Sequence, residues 1–222
     1  MINRKETLRY LGYLGQKIDE QTQKFIEEVE VELENSSSPK SIYREYNCDI
    51  NGDTILIDGL VINSANLAKN LKECKHVVLL AATIGRAADM MIKKYAVTNL
   101  AKSVIVQAAG AAYIESYVDE IEETIRKYAK EQELYLRPRF SPGYGDFSLE
   151  YQKDIFAMLE CSRRIGITLT EGNLMIPTKS VTAVIGLTTK ERASCQKETC
   201  SQCEKQDCEF RQREIIMPCG VL

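Results

Sequence analysis

A single histidine, His76, stands in the 222 residues of this chain. That excludes any site that needs two imidazoles. It also makes any Ser–His or Cys–His catalytic pair depend on this one side chain. His76 opens an apolar run, so a structural role is expected of it. No apolar run approaches the ~20 residues needed to cross a bilayer, so no membrane span is expected. The first ten residues, MINRKETLRY, lack the apolar stretch of a secretory signal, and a cytoplasmic protein is expected. An excess of basic residues is also missing. Lys plus Arg number 29 against 32 Asp plus Glu, a formal net charge of −3. A general nucleic-acid binder carries a basic face, so nucleic acid is not an expected partner. There is no Walker A loop, no G-x-G-x-x-G after a strand, no G-x-S-x-G elbow and no H-E-x-x-H.

What is present is globular. Hydrophobic residues make up 44%, enough for one sizeable domain with at most a small appendage. Leu8, Leu11, Gly15, Ile18, Thr22, Phe25, Val29 and Leu33 recur at spacings of three and four, which predicts one long N-terminal helix from Arg4 to Glu34. Asn35-Ser-Ser-Ser-Pro39 ends it. A β region follows: Ile42–Ile50, a turn at Asn51-Gly52, Thr54–Ile57, a turn at Asp58-Gly59, and Leu60–Ile62. Ser64 suits the N-cap of a short helix through Leu71. His76–Ala82 reads as a strand buried on both faces. Arg86–Tyr95 and Leu100–Lys130 read as helices. The small residues Ala108–Ala112 let another element approach closely. Ser148 begins a helix through about Arg163. Ile165–Leu169 and Ser180–Thr188 read as strands. Cys48, Cys74 and Cys161 sit among apolar residues and are expected in the core. Residues 190–213 hold four cysteines, many charges and almost no apolar residues, and cannot bury a core of their own.

The loop Arg139-Phe-Ser-Pro-Gly-Tyr144 is the most suggestive stretch chemically. Arg139 offers a planar fork that pairs a carboxylate bidentately. Pro142 stiffens the loop, and Gly143 lets the backbone come near a ligand. Tyr144 adds an aromatic face and a hydroxyl, and Ser141 a small polar group. The other reading is a rigid turn with Arg139 in a surface ion pair. The composition alone leaves both open.

At this loop the sequence resembles the activation (reactivation) domain of cobalamin-dependent methionine synthase, in a stand-alone form. The shared motif is R-x-x-x-G-Y, here Arg139 to Tyr144. Downstream, Ile167-Thr-Leu-Thr-Glu171, Met175-Ile-Pro177 and Ser180-Val-Thr-Ala follow in the family's order. Upstream, Leu80-Ala-Ala-Thr-Ile-Gly85 is similar to the A-T-x-G stretch of stand-alone members. The resemblance covers roughly residues 40–190.

The resemblance implies an α+β fold, an antiparallel sheet flanked by helices, here with a long N-terminal helix and a Cys-rich C-terminal tail. The expected organisation is a helix over 1–38, an activation-type S-adenosylmethionine-binding domain over 39–189, and a metal-binding tail over 190–222. It implies S-adenosylmethionine as ligand, with Arg139 on its carboxylate, Ser141 and Gly143 in close or backbone contact, and Tyr144 lining the site. The family places acidic residues near the sulfonium. Ala111 stands at the expected position here, and Glu115 or Asp146 is the expected substitute. The D-x-H-x-x-G signature of a cobalamin-binding domain is missing. The implied function is therefore a stand-alone activator, a methyltransferase component. It supports reductive methylation of cob(II)alamin on a separate cobalamin-dependent methionine synthase core or another corrinoid protein. An electron donor such as a flavodoxin or ferredoxin is implied too. The alternative is a metal-cluster redox or docking partner of a corrinoid protein with no methyl-transfer role of its own.

Cys195-x4-Cys200-x2-Cys203-x4-Cys208 is a second constellation. Four thiolates at this spacing in a polar stretch can wrap one metal centre. A tetrahedral zinc site wants two C-x2–4-C pairs, and only Cys200/Cys203 forms a tight pair here. The C-x4-C-x2-C order is similar to that of plant-type ferredoxins. An iron–sulfur cluster, zinc, and free or paired cysteines all remain open, and Cys219 could replace one ligand.

Overall fold

A computed structural model describes residues 1–13 and 15–190. Its elements in chain order are α1 (Arg4–Tyr10), α2 (Glu20–Ser36), β1 (Lys40–Asn51), β2 (Thr54–Ile57), β3 (Leu60–Asn63), α3 (Ala65–Asn70), β4 (His76–Thr83), α4 (Ala87–Thr98), α5 (Leu100–Glu131) and β5 (Tyr135–Leu136). A 3-10 turn (Leu149–Tyr151), α6 (Gln152–Leu159), α7 (Cys161–Ile165), β6 (Thr168–Leu169), β7 (Met175–Ile176) and β8 (Ser180–Thr188) complete it. The six-stranded sheet runs β3-β2-β1-β4-β8-β5, with every pairing antiparallel. The expected α+β architecture is borne out.

Strand β4 organises the core. Its side chains alternate between the two faces. Val78, Leu80 and Ala82 pack with Val29 and Leu33 of α2, Met91 of α4 and Val106 of α5. Val77, Leu79 and Ala81 pack with Leu67 of α3, Ile155 of α6 and Ile165 of α7. Both faces are covered, so the strand is apolar throughout, as its sequence predicts. Each such aliphatic side chain removed from water contributes about 1.5–3 kcal/mol. Cys48, Cys74 and Cys161 are buried in the second layer, as expected. The small patch on α5 serves close packing: the Lys179 stem crosses Gly110, where a Cβ would lie 3.1 Å from its Cε.

Three expectations are corrected. The single helix from Arg4 to Glu34 is two. Gly12 at φ +84 closes α1: its N–H reaches the Arg9 carbonyl at 3.0 Å, and that of Tyr13 the Leu8 carbonyl at 2.9 Å. These are the paired bonds of a left-handed helix stop, which a glycine adopts readily. Asp19 then caps α2 by accepting from the Thr22 N–H at 2.9 Å. The helix expected from Ser148 to Arg163 is interrupted at Glu160, at φ +54. Its carboxylate accepts from Arg163 at 2.6 Å, Arg164 at 2.9 Å and Arg44 at 3.3 Å, tying the break to α7 and to β1. The strand expected over Ile165–Leu169 shrinks to Thr168–Leu169, because Ile165 ends α7 and Gly166 turns the chain at φ +73.

Candidate functional site

The sheet edge positions the loop. β5 pairs with β8 only through Tyr135 and Leu136. Beyond it, the Arg137 N–H bonds the Gly186 carbonyl at 2.8 Å, and Phe140 exchanges bonds with Val184 at 2.9 and 2.8 Å. The segment is therefore strand-like, and residues two apart share a side only if the pleat holds. Arg137 turns into the α3 layer, where it is buried and donates to the Lys72 carbonyl at 3.2 Å. Arg139 goes to α5.

There Arg139 meets three carboxylates. One terminal nitrogen, Nη2, donates to Glu115 at 2.7 Å. The other, Nη1, donates to Asp119 at 2.7 Å and Glu122 at 2.9 Å. Burial opposes the guanidinium's charge, but the Asp119 hydrogen bond and the Glu115 charge outweigh it and hold its pKa above the ordinary value. Glu122 is 14% exposed and also holds Arg126 at 2.7 Å, whereas Glu115 is 42% exposed. Glu122 is thus the embedded anchor and Glu115 the open partner.

A cavity of about 380 Å³ opens beside this cluster. Glu115, Arg139, Ser141 and Tyr144 line it together with Met175 and Thr182. The sequence-predicted residues are thus brought together, save Gly143. That residue is not in the lining; at φ +94 it turns the loop, its N–H bonding the Phe147 carbonyl at 2.7 Å. Phe147 is 1% exposed and pins the loop between Phe140 and Tyr151, ring centroids 6.3 and 5.6 Å away. In the cavity wall, buried Thr182 donates to buried Gln152 at 2.6 Å, tying β8 to α6. Tyr144 projects at the mouth, 69% exposed.

Asp146 is not part of this site. Its carboxylate accepts from Ser64 Oγ, from the Ala65 N–H at 2.8 Å and from the Asn66 N–H at 3.1 Å, at the start of α3. The Ser64 bond foremost holds its pKa below the usual carboxylate range. Of the two acids expected near a ligand, Glu115 lines the cavity and Asp146 does not. His76 is also distant in role: its Nδ1 lies 3.2 Å from Glu45 on the sheet surface. Sequence reading missed Asp119 and Glu122. Their signal is the spacing Glu115, Asp119, Glu122, four and three residues apart on one helix face.

Cys195, Cys200, Cys203, Cys208 and Cys219 lie outside the described residues. Among the described residues no group of His, Cys, Asp or Glu side chains is placed to hold a metal ion. No described helix is long and apolar enough to cross a membrane.

An antiparallel sheet between helical layers, with an Arg–Tyr loop over a cavity at its edge, defines an activation-domain type of fold. The family model "Vitamin B12 dependent methionine synthase, activation domain" matches residues 65–213, and the chain belongs to that family. Among solved structures, the crystal structure of the MetH reactivation domain bound to AdoHcy has a TM-score of 0.63. It is 18% identical, over 85% of this chain and 75% of that one, a likeness of fold. No curated protein matches.

Proposed function

We propose that this chain is an S-adenosylmethionine-binding activator that supports reductive methylation of cob(II)alamin held by a separate cobalamin-dependent methionine synthase. In that reaction a donor such as a flavodoxin or ferredoxin supplies one electron to the cobalt. The sulfonium methyl then passes to it, breaking the C–S bond and leaving S-adenosylhomocysteine. The observation that carries the reading is the convergence of Arg139, Glu115, Ser141 and Tyr144 on one cavity. A structurally similar reactivation domain has been crystallised with AdoHcy, which supports the same ligand class here.

This chain's part is positioning. Arg139 is held through Nη1 by Asp119 and the embedded Glu122, so its fork is fixed. Nη2 is held by the part-exposed Glu115. An amino-acid head group exchanges partners there without leaving a charge unpaired. Its carboxylate takes Nη2 of Arg139, and its ammonium takes Glu115. Three carboxylates around one guanidinium also suit the positive sulfonium. Tyr144 offers its ring to the adenine, and Ser141 a small polar contact in the lining, while Gly143 shapes the turn from outside it.

The four cysteines Cys195, Cys200, Cys203 and Cys208 belong to this proposal as a metal centre, either an iron–sulfur cluster that relays the electron or a zinc site. Anaerobically purified protein that is brown, with visible absorbance, supports the cluster; colourless protein with one equivalent of zinc supports zinc.

The alternative is a metal-cluster docking partner that binds no S-adenosylmethionine. One observation favours it: both terminal nitrogens of Arg139 already have protein partners. Thermal unfolding of the full chain with and without S-adenosylmethionine decides. The ligand should raise the midpoint, and Arg139→Ala should abolish the rise. No shift in the wild-type chain would sink the main reading.

A further inference from the structure

We infer that a second cavity binds an amphipathic organic anion, independently of the Arg139 site. This cavity measures about 790 Å³ and shares no lining residue with the other. It lies where the end of α2, the start of β1, the Thr83–Arg86 turn and α4 meet. Its volume falls within the ~300–1,000 Å³ usual for small-molecule sites.

The lining combines two chemistries. Met90, Met91, Ile165 and Pro177 supply apolar surface, and Met90 is left 61% exposed. Methionine side chains adapt to the shape of an apolar body. Lys40, Arg86 and Lys94 supply its cations. Glu32 is the carboxylate of the lining, and it is committed: Lys94 donates to it at 2.9 Å, and the Tyr95 hydroxyl donates to its other oxygen. The Tyr95 bond, then that of Lys94, holds Glu32 below the usual carboxylate range. The acid of the first turn of α4, Asp89, is committed elsewhere, accepting from the Thr178 N–H at 3.0 Å. Lys40 and Arg86 thus face the cavity with no carboxylate of the chain placed against them among the described residues. In a chain of net charge −3, this is a local positive surplus in a cavity with apolar surface.

The occupant that satisfies both chemistries carries a phosphate, sulfonate or carboxylate toward Lys40 and Arg86, and a flat or aliphatic body toward the methionines. A neutral apolar molecule leaves the cations unused. A small inorganic anion leaves the apolar surface wet. Arg86 adds planar, bidentate recognition of the anionic group.

The test uses the full chain and 8-anilinonaphthalene-1-sulfonate, an aromatic anion whose fluorescence reports an apolar site. Saturable binding at one site is expected. The doubly substituted Lys40→Glu, Arg86→Glu chain should bind at least tenfold more weakly. Both side chains are exposed, so the fold should persist, checked by an unchanged thermal midpoint. N-phenyl-1-naphthylamine, which has the same body without the sulfonate, should also bind at least tenfold more weakly than the sulfonate. Arg139→Ala should leave dye binding unchanged, which separates this site from the other cavity. The inference is overturned if the charge-reversed chain binds the dye as the wild type does. It is equally overturned if binding is non-saturable, if the neutral analogue binds as well, or if Arg139→Ala removes the binding.

Discussion

Arg139 shows how much a residue's neighbours decide. In sequence it reads equally as a ligand-binding fork or as one half of a surface ion pair. In the fold it is both prepared and occupied, because Glu115, Asp119 and Glu122 converge on it. Glu30 on α2 is the opposite case, a buried carboxylate oxygen with no hydrogen-bond partner. Burial pushes its pKa up, with the Arg4 charge opposing. A carboxyl whose folded pKa is raised costs stability once it ionises. The penalty is absent below the unfolded pKa of ~4.3 and grows as pH rises through the folded value. Glu30→Gln should therefore stabilise the chain at pH 7 and give no gain near pH 3, read by urea denaturation at both. The thiols of Cys48 and Cys161 are pushed up to about 12 by burial. They stay protonated at neutral pH, which fits packing rather than redox chemistry.

Element boundaries were legible where local chemistry and tertiary packing agree. Strand β4 announces itself because both its faces are buried, and α3 because Ser64 caps it, accepting from the Leu67 N–H at 3.0 Å. The α1–α2 break was hidden, since the apolar spacing runs on through Gly12 and Gly15 while the backbone there is left-handed. The interruption at Glu160 was not legible at all: its support includes Arg44, far away in sequence. Strand β8 carries a tighter constraint. A Cβ at Gly186 would lie 2.6 Å from Cys74 Sγ and 2.8 Å from a Leu71 methyl. Gly186→Ala should cost about 1–3 kcal/mol in chemical denaturation, the usual penalty for overpacking a core. An unchanged midpoint would mean that the α3 layer yields more easily than its packing implies.

For the molecule as a whole, the main strands, the long α5 and the Arg139–Tyr144 loop could be read in advance, because their signals are local in sequence. The carboxylate trio could not, because it exists only once α5 and the loop at the sheet edge are brought together. The same holds for the second cavity, which four separated segments assemble. Both features belong to a fold of the vitamin B12 dependent methionine synthase activation-domain family. The most direct measurement mixes the full chain with a cob(II)alamin-loaded methionine synthase core, a reductant and S-adenosylmethionine, and follows methylcobalamin by its absorbance. The account predicts methylcobalamin with the wild-type chain and at least a tenfold slower rate with Arg139→Ala. Equal rates for the two chains, or no product under conditions where the wild-type chain binds both the core and S-adenosylmethionine, would contradict it.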